Sequence, residues 1–261
     1  MIGRTKKVGL ALGGGTIRGM AHLGVIKALL NYNIPIDIIT GTSAGALVGG
    51  AYSGCKDIQR LIKITKTTHW KHMMGFSLSK KSLVSASPII RLFEKELGFL
   101  RFSDLYIPFA AIATEISTGK PVVFNTPEMF VGTAILASIS VPGVFMPVLI
   151  QDEYYFDGGA SDNLPVKAAK ELGADVVIAV DVLPKTERIQ HPLSNLALIA
   201  DRAIDLMLQF SSVTGYQAAN LVLKPINRYF SSFDIKYIDE LIDLGEACVE
   251  THIESIKKLV K

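Results

Sequence analysis

The chain has 261 residues, a formal net charge of +3, 49% apolar residues and 20% charged residues. That length suffices for a sizeable core, and the composition excludes a disordered or fibrous chain. So small a charge argues against a nucleic-acid binder, which carries a larger and more clustered basic excess. Arg4, Lys6 and Lys7 lead into an apolar run at 8–12 that ends at Gly13-Gly14-Gly15. A secretory leader needs about 7–15 apolar residues, so 7–12 reads as a first strand. No stretch reaches the roughly 18–20 apolar residues of a spanning helix. Cys55 and Cys248 lie far apart and outside any C-x-x-C spacing, as free thiols in a reducing compartment would. These features together predict a cytoplasmic protein whose only contact with membranes is peripheral.

Residues 18–31 have helical spacing, 36–40 form a short β-branched strand, and 44–53 read as a small-residue helix packed in the interior. Residues 107–114 and 121–125 flank Ser117-Thr118-Gly119 and read as a hairpin or adjacent strands. Residues 153–156 form another strand. A helix over 166–172 stops at Gly173, and a continuous apolar strand follows at 175–181. Residues 195–220 and 235–261 read as two amphipathic C-terminal helices. The alternation predicts an α/β fold with a mostly parallel sheet covered by helices on both faces. With no repeat or linker in sight, 1–261 is expected to be one domain.

The strand at 36–40 runs directly into Gly41-Thr42-Ser43-Ala44-Gly45, and a helix follows. This is G-x-S-x-G in a strand–turn–helix setting, where a serine on a sharp turn projects its hydroxyl free of the sheet. Gly41 and Gly45 remove the Cβ atoms that would collide as strand and helix approach. Ser43 is therefore the candidate nucleophile; the alternative is a tight turn with Ser43 as a helix cap.

The first strand ends in Gly13-Gly14-Gly15-Thr16-Ile17-Arg18-Gly19. Such a loop exposes backbone N–H groups to a phosphate or an oxyanion. The dinucleotide pattern G-x-G-x-x-G fails because Arg18 stands at its sixth position and Asp37 begins the second strand rather than ending it, and the P-loop pattern fails because no Gly-Lys-Ser/Thr follows. Paired with Ser43, the loop reads better as an oxyanion cradle, with the amides of Gly14, Gly15 and Ala44 as donors. Arg18 would orient the loop or add positive potential; its alternative is a surface ion pair.

A serine nucleophile usually has a histidine base, yet none of His22, His69, His72, His191 and His252 sits in an obvious loop after a strand. Asp157 is the better candidate, because a strand delivers it to Asp157-Gly158-Gly159, where the glycines permit a tight turn and close backbone approach. A surface Asp-Gly turn is the alternative.

The segments 13–19, 41–45 and 157–159, in that order, resemble the patatin-like phospholipase family, specifically its small bacterial members. The resemblance runs from about residue 7 to about residue 181 and takes in 137–147, 163–166 and the strand at 173–181. It implies a three-layer α/β/α sandwich, a Ser43–Asp157 dyad without histidine, and lipid or acyl-ester substrates. No metal or organic cofactor is implied. Where family members often carry a further glycine and then alanine, this chain has Thr16 and Ile17, and a β-branched residue adopts positive φ only at a cost.

The leading reading is a lipid ester hydrolase of phospholipase or lysophospholipase type. The alternatives are a general carboxylesterase or acyltransferase using the same dyad, and a phosphate- or nucleotide-binding module using the glycine-rich loop. A basic segment at 56–81 carries Lys56, Arg60, Lys63, Lys66, Lys71, Lys80 and Lys81 against one acid, Asp57, with Trp70, Met73, Met74 and Phe76 interleaved. It is either a solvated helix face with its loop or a contact surface for anionic membranes.

Overall fold

A computed structural model describes residues 6–68, 70, 86–184, 196–231 and 235–261. Its strands are β1 (Val8–Leu12), β2 (Ile38–Thr42), β3 (Phe109–Glu115), β4 (Pro121–Phe124), β5 (Val148–Ile150), β6 (Glu153–Asp157), β7 (Val176–Val180) and β8 (Leu221–Leu223). The helices around them are α1 (Ala21–Asn31), α2 (Ala44–Cys55), α3 (Ile58–Thr67), α4 (Ser87–Leu97), α5 (Val131–Ser138), α6 (Val166–Glu171), α7 (Leu196–Ser211), α8 (Val213–Ala218) and α9 (Ile238–Val260).

The central strands are apolar at nearly every position because both of their faces are covered. In β1, Val8, Leu10 and Leu12 enter one core while Ala11 enters the other. In β7, Val176, Ile178 and Val180 face the first core, and Val177 and Ala179 face the second. The period of two along a strand thus feeds two helical layers from one sheet. Helices α1, α2 and α9 supply the larger core, and α6 supplies the smaller one. The expected three-layer α/β/α arrangement is observed.

The eight-stranded sheet runs β5-β6-β3-β2-β1-β7-β8, with β4 also paired to β3. Strands β3, β2, β1, β7 and β8 are parallel to one another, whereas β4 and β6 are antiparallel to β3. The expected pairing of the segments near 107–114 and 121–125 is the antiparallel β3–β4 pair.

Several boundaries differ from the expectations. The first helix opens with a 3-10 turn, Thr16–Met20, before α1 begins. Strand β2 starts later than expected because the Asp37 carboxylate accepts the Val8 amide, at 2.7 Å, and so ties the strand's entrance to β1. The helix expected over 195–220 is two helices, and strand β8 follows at Leu221–Leu223. It breaks at Ser212, whose hydroxyl donates back to the Leu208 carbonyl and accepts from Asn163. Helices α4 and α5 had no counterpart in the sequence reading. Among the described residues, no helix is long and apolar enough to cross a membrane.

Candidate active site

Strand β2 ends at Thr42, α2 begins at Ala44, and Ser43 alone makes the turn, at φ 54° and ψ −123°. A non-glycine residue held there costs on the order of 1–3 kcal/mol, so the surroundings must enforce it. The Ser43 amide donates to Ser138 Oγ at 2.9 Å, and its carbonyl accepts from the Ala46 and Leu47 amides. The two glycines work as the motif requires. A Cβ on Gly41 would lie 2.4 Å from the Gly45 carbonyl oxygen, and one on Gly45 would lie 2.1 Å from that of Leu12.

Asp157 reaches Ser43 through the sheet register. Thr42 pairs with Ile112, and Asp157 pairs with Ala113, the next residue along β3. Strand β4 occupies the other edge of β3 over the same residues. Strands β2 and β6, running in opposite directions, therefore meet head to head on one edge of β3. Gly158 lets the chain turn there, since a Cβ on it would lie 2.3 Å from the Ile112 carbonyl oxygen. Ser43 Oγ donates to Asp157 Oδ2 at 2.6 Å, and the Gly159 amide donates to Oδ1 at 2.8 Å. Both side chains are buried. Burial pushes the Asp157 carboxyl up to about 7, against the opposing pull of the hydrogen bonds from Ser43 and Gly159. The surface-turn alternative for Asp157 does not describe this residue.

The glycine-rich loop is pinned at each step. The Gly13 amide donates to Val180 O, and the Gly13 carbonyl accepts from His22 Nε2 at 2.8 Å. Gly14 was expected to offer a free amide; instead its N–H donates to Asn163 Oδ1 at 3.0 Å, which makes it loop support. Arg18 is fully buried rather than a surface ion pair. Its Nε donates to the Gly15 carbonyl at 3.0 Å, and its two terminal nitrogens reach both carboxylate oxygens of Asp205 at 3.2 and 2.5 Å. A trans peptide points its C=O and N–H in opposite directions, so fixing the Gly15 carbonyl toward Arg18 turns the Thr16 N–H away from Arg18. Thr16 does take a positive φ, 54°, and its hydroxyl donates to the Gly15 carbonyl. Among the described residues no acceptor occupies the amides of Gly15, Thr16 or Ala44. Gly19 packs the loop on α2, where a Cβ would lie 2.4 Å from Ala44 Cβ.

A family model of patatin-like phospholipases matches residues 10–170. The chain belongs to the patatin-like phospholipase family. Among its relatives, the lysophospholipase nte1 of Neurospora crassa is 34% identical over 183 residues, which are 68% of this chain and 12% of that protein. The corresponding lysophospholipase of Aspergillus fumigatus is 35% identical over the same shares. The match thus spans about an eighth of the length of these relatives. The fold recurs in VipD from Legionella pneumophila, with a TM-score of 0.64 at 13% identity over 97% of this chain and 67% of that one. It recurs also in human group IVD cytosolic phospholipase A2, solved with methyl gamma-linolenyl fluorophosphonate: TM-score 0.51, 11% identity, covering 98% of this chain and 59% of that one.

In this patatin-like chain, Ser43 opens onto an apolar cleft of about 580 Å³, walled by Ile17, Met20, Leu47, Ile139 and Phe145 as well as Thr16 and Ala44. Among the described residues, no cationic side chain lines it. Neither described histidine serves Ser43: buried His22, whose pKa burial lowers to about 4, faces the Gly13 carbonyl, and His252 faces the Cys248 carbonyl. His69, His72 and His191 lie outside the described residues.

Three contributors had escaped the sequence reading as site residues. Ser138 and Asn163 lie in segments that carried the family resemblance, yet nothing in their spacing marks them as holding the Ser43 and Gly14 amides. Asp205 lies beyond the matched region and shows itself only as a charge on the inner face of an amphipathic helix. In the basic segment, Lys56, Arg60 and Lys63 are exposed, and Lys66 pairs with Asp239 at 2.7 Å. Trp70, one of the residues interleaved with those cations, is buried, with Nε1 donating to Thr65 O at 2.9 Å. Lys71, Met73, Met74, Phe76, Lys80 and Lys81 lie outside the described residues.

Proposed function

We propose that this chain hydrolyses carboxylic esters of lipids, with Ser43 as nucleophile and Asp157 as its base. The observation that carries the reading is the 2.6 Å contact from Ser43 Oγ to Asp157 Oδ2 at the edge of an apolar cleft. Family membership and the lysophospholipase relatives support the substrate class. The apolar lining of the cleft fits an acyl chain better than a phosphate.

In the proposed reaction Ser43 Oγ attacks the ester carbonyl as its proton passes to Asp157 Oδ2. Negative charge develops on the carbonyl oxygen, and the unoccupied amides of Gly15, Thr16 and Ala44 are the donors assigned to it. One such donor is worth about 2.7–4 kcal/mol. Collapse of the tetrahedral intermediate expels the alcohol, which takes its proton from Asp157. Water then attacks the acyl-serine, again giving its proton to Asp157, which returns it to Ser43 Oγ as the bond to the acyl carbon breaks and the fatty acid leaves. A carboxylate with a pKa near 7 is a far better base than one at the ordinary 3.8 and is still substantially ionised at neutral pH.

The test is covalent labelling with a fluorophosphonate, comparing wild type with Ser43→Ala and Asp157→Asn. Labelling of the wild type alone is expected; equal labelling of Ser43→Ala refutes the assignment. Membrane contact through the basic segment is a second, separable part of the reading. Its exposed cations include Lys56 and Lys63, so reversing both to Glu should weaken binding to anionic vesicles. Unchanged binding removes that part alone.

A further inference from the structure

Behind the Ser43 cleft lies a second apolar cavity of about 550 Å³, between α2, α3 and α4. The two share four walls: Met20, Leu47, Trp70 and Ile89. The sequence explains why this space exists. Helix α3 turns Leu61, Ile64 and Thr65 inward while Arg60, Lys63 and Lys66 stay outside, and α4 turns Leu92 and Phe93 inward beneath exposed Arg91 and Lys95. Opposite them α2 offers the small side chain of Ala51. Two amphipathic helices thus face a helix of small residues, and the volume between them is not filled. Several of the lining side chains, among them Leu47, Ile64, Ile89 and Leu92, are only half-buried despite facing inward.

The polar groups in the lining are the Thr65 side chain and Glu96. Glu96 is at the far end of α4, with its carboxylate 3.9 Å from Arg60 Nη2 and both side chains partly exposed. From Ser43 inward, the path is therefore apolar up to a charged pair. We infer that the second cavity is a receptor for the distal part of a single long acyl chain, with Met20, Leu47, Trp70 and Ile89 forming the passage and the Arg60–Glu96 end marking where apolar length runs out. A chain whose ester carbonyl sits at Ser43 passes along the cleft and then between these four side chains. Short acyl groups end before the passage; long ones gain burial beyond it. This inference rests on the proposed lipid esterase reading and names its substrate more closely.

The chain provides its own probe, because Trp70 is its only tryptophan and stands in the wall of both cavities. In Ser43→Ala, which cannot turn over, a long-chain fatty acid brominated at mid-chain is expected to quench more than half of the Trp70 emission. The same acid brominated beside its carboxylate should quench less. In active enzyme, Ala51→Phe fills the second cavity and Leu92→Ala enlarges it. Excluding two methylenes from apolar surroundings changes affinity by roughly ten-fold. The ratio of kcat/KM for dodecanoyl over butyryl p-nitrophenyl esters should therefore fall about that much in Ala51→Phe and rise in Leu92→Ala.

Unaltered emission with every brominated acid, or an unshifted chain-length ratio in both variants, overturns the inference while leaving butyryl hydrolysis to speak for the esterase reading. Quenching without hydrolysis of any ester by the wild type does the reverse: the acyl receptor stands and the esterase reading falls.

Discussion

Ser43 and Asp157 are 114 residues apart in sequence, yet they share a hydrogen bond because the strands that deliver them end opposite adjacent residues of β3. The geometry places the carboxylate where water cannot solvate it. That burial raises its pKa to about 7, and the raised value fixes the pH behaviour of the proposed reaction. Only the ionised carboxylate can accept the serine proton, so kcat/KM on an uncharged ester should rise with pH along a limb centred near 7. A limb centred near the ordinary carboxylate value would mean that Asp157 is solvated or is not the base.

The same burial predicts a trade of stability for function. The folded-state pKa lies above the unfolded value, so the folded state loses stability as pH rises from about 4 to about 7, and the loss is complete above that window. Three pH units correspond to about 4 kcal/mol as an upper bound. Asp157→Asn should raise the melting temperature at pH 8 and have little effect near pH 4, while lowering kcat about 10²–10⁴-fold. Thermal denaturation at the two pH values checks this. A variant less stable than wild type at pH 8 would show that the carboxylate is better accommodated than its burial implies.

Arg18 and Asp205 form the other long-range link, and α7 thereby takes part in the site. Removing one partner of a buried pair leaves an uncompensated charge and costs about 3–5 kcal/mol. Asp205→Ala should be destabilised by that order. The double variant Arg18→Met with Asp205→Leu should recover much of the stability, because apolar replacement of both partners is often neutral. It should not recover activity, since the Gly15 carbonyl then loses the guanidinium that holds it and keeps only the residue-18 amide and the Thr16 hydroxyl. The expected signature is a lowered kcat with KM little changed, the pattern of an interaction used in the transition state. Full activity in the stable double variant would reduce Arg18 to a purely structural role.

Much of the proposed site was legible because its motifs are local. A serine between glycines after a β-branched run can be read as a strand-to-helix turn, and Asp157-Gly158-Gly159 as a tight turn after a strand. What stayed hidden depends on register and on side chains meeting across the sheet. No local pattern says that Thr42 and Asp157 will face neighbouring residues of β3, or that Asn163 will take the Gly14 amide. Helix α5 escaped because its residues are small and almost uniformly apolar, which leaves no amphipathic period to detect. The helix expected over 195–220 is split at Ser212, a residue that a helix tolerates in isolation. Here Ser212 bonds back to Leu208, and a Cβ on Gly215 would lie 2.3 Å from the Leu164 carbonyl oxygen.

Thr16 holds φ 54°, in the left-handed region that favours glycine. A β-branched residue in that conformation costs roughly 1–2 kcal/mol, partly repaid by its hydroxyl bond to the Gly15 carbonyl. Glycine would remove the strain, but it adds about 0.5–1 kcal/mol of unfolded-state entropy and forfeits that bond. The two changes nearly cancel, so Thr16→Gly should alter stability by no more than about 1 kcal/mol. Because the Gly15 carbonyl remains fixed by Arg18, the amide at position 16 should keep its direction and kcat/KM should be largely retained. Ester hydrolysis alongside thermal denaturation of the variant checks both parts. A loss of activity at unchanged stability would mean that the threonine side chain, rather than the peptide plane held by Arg18, sets the position of that donor.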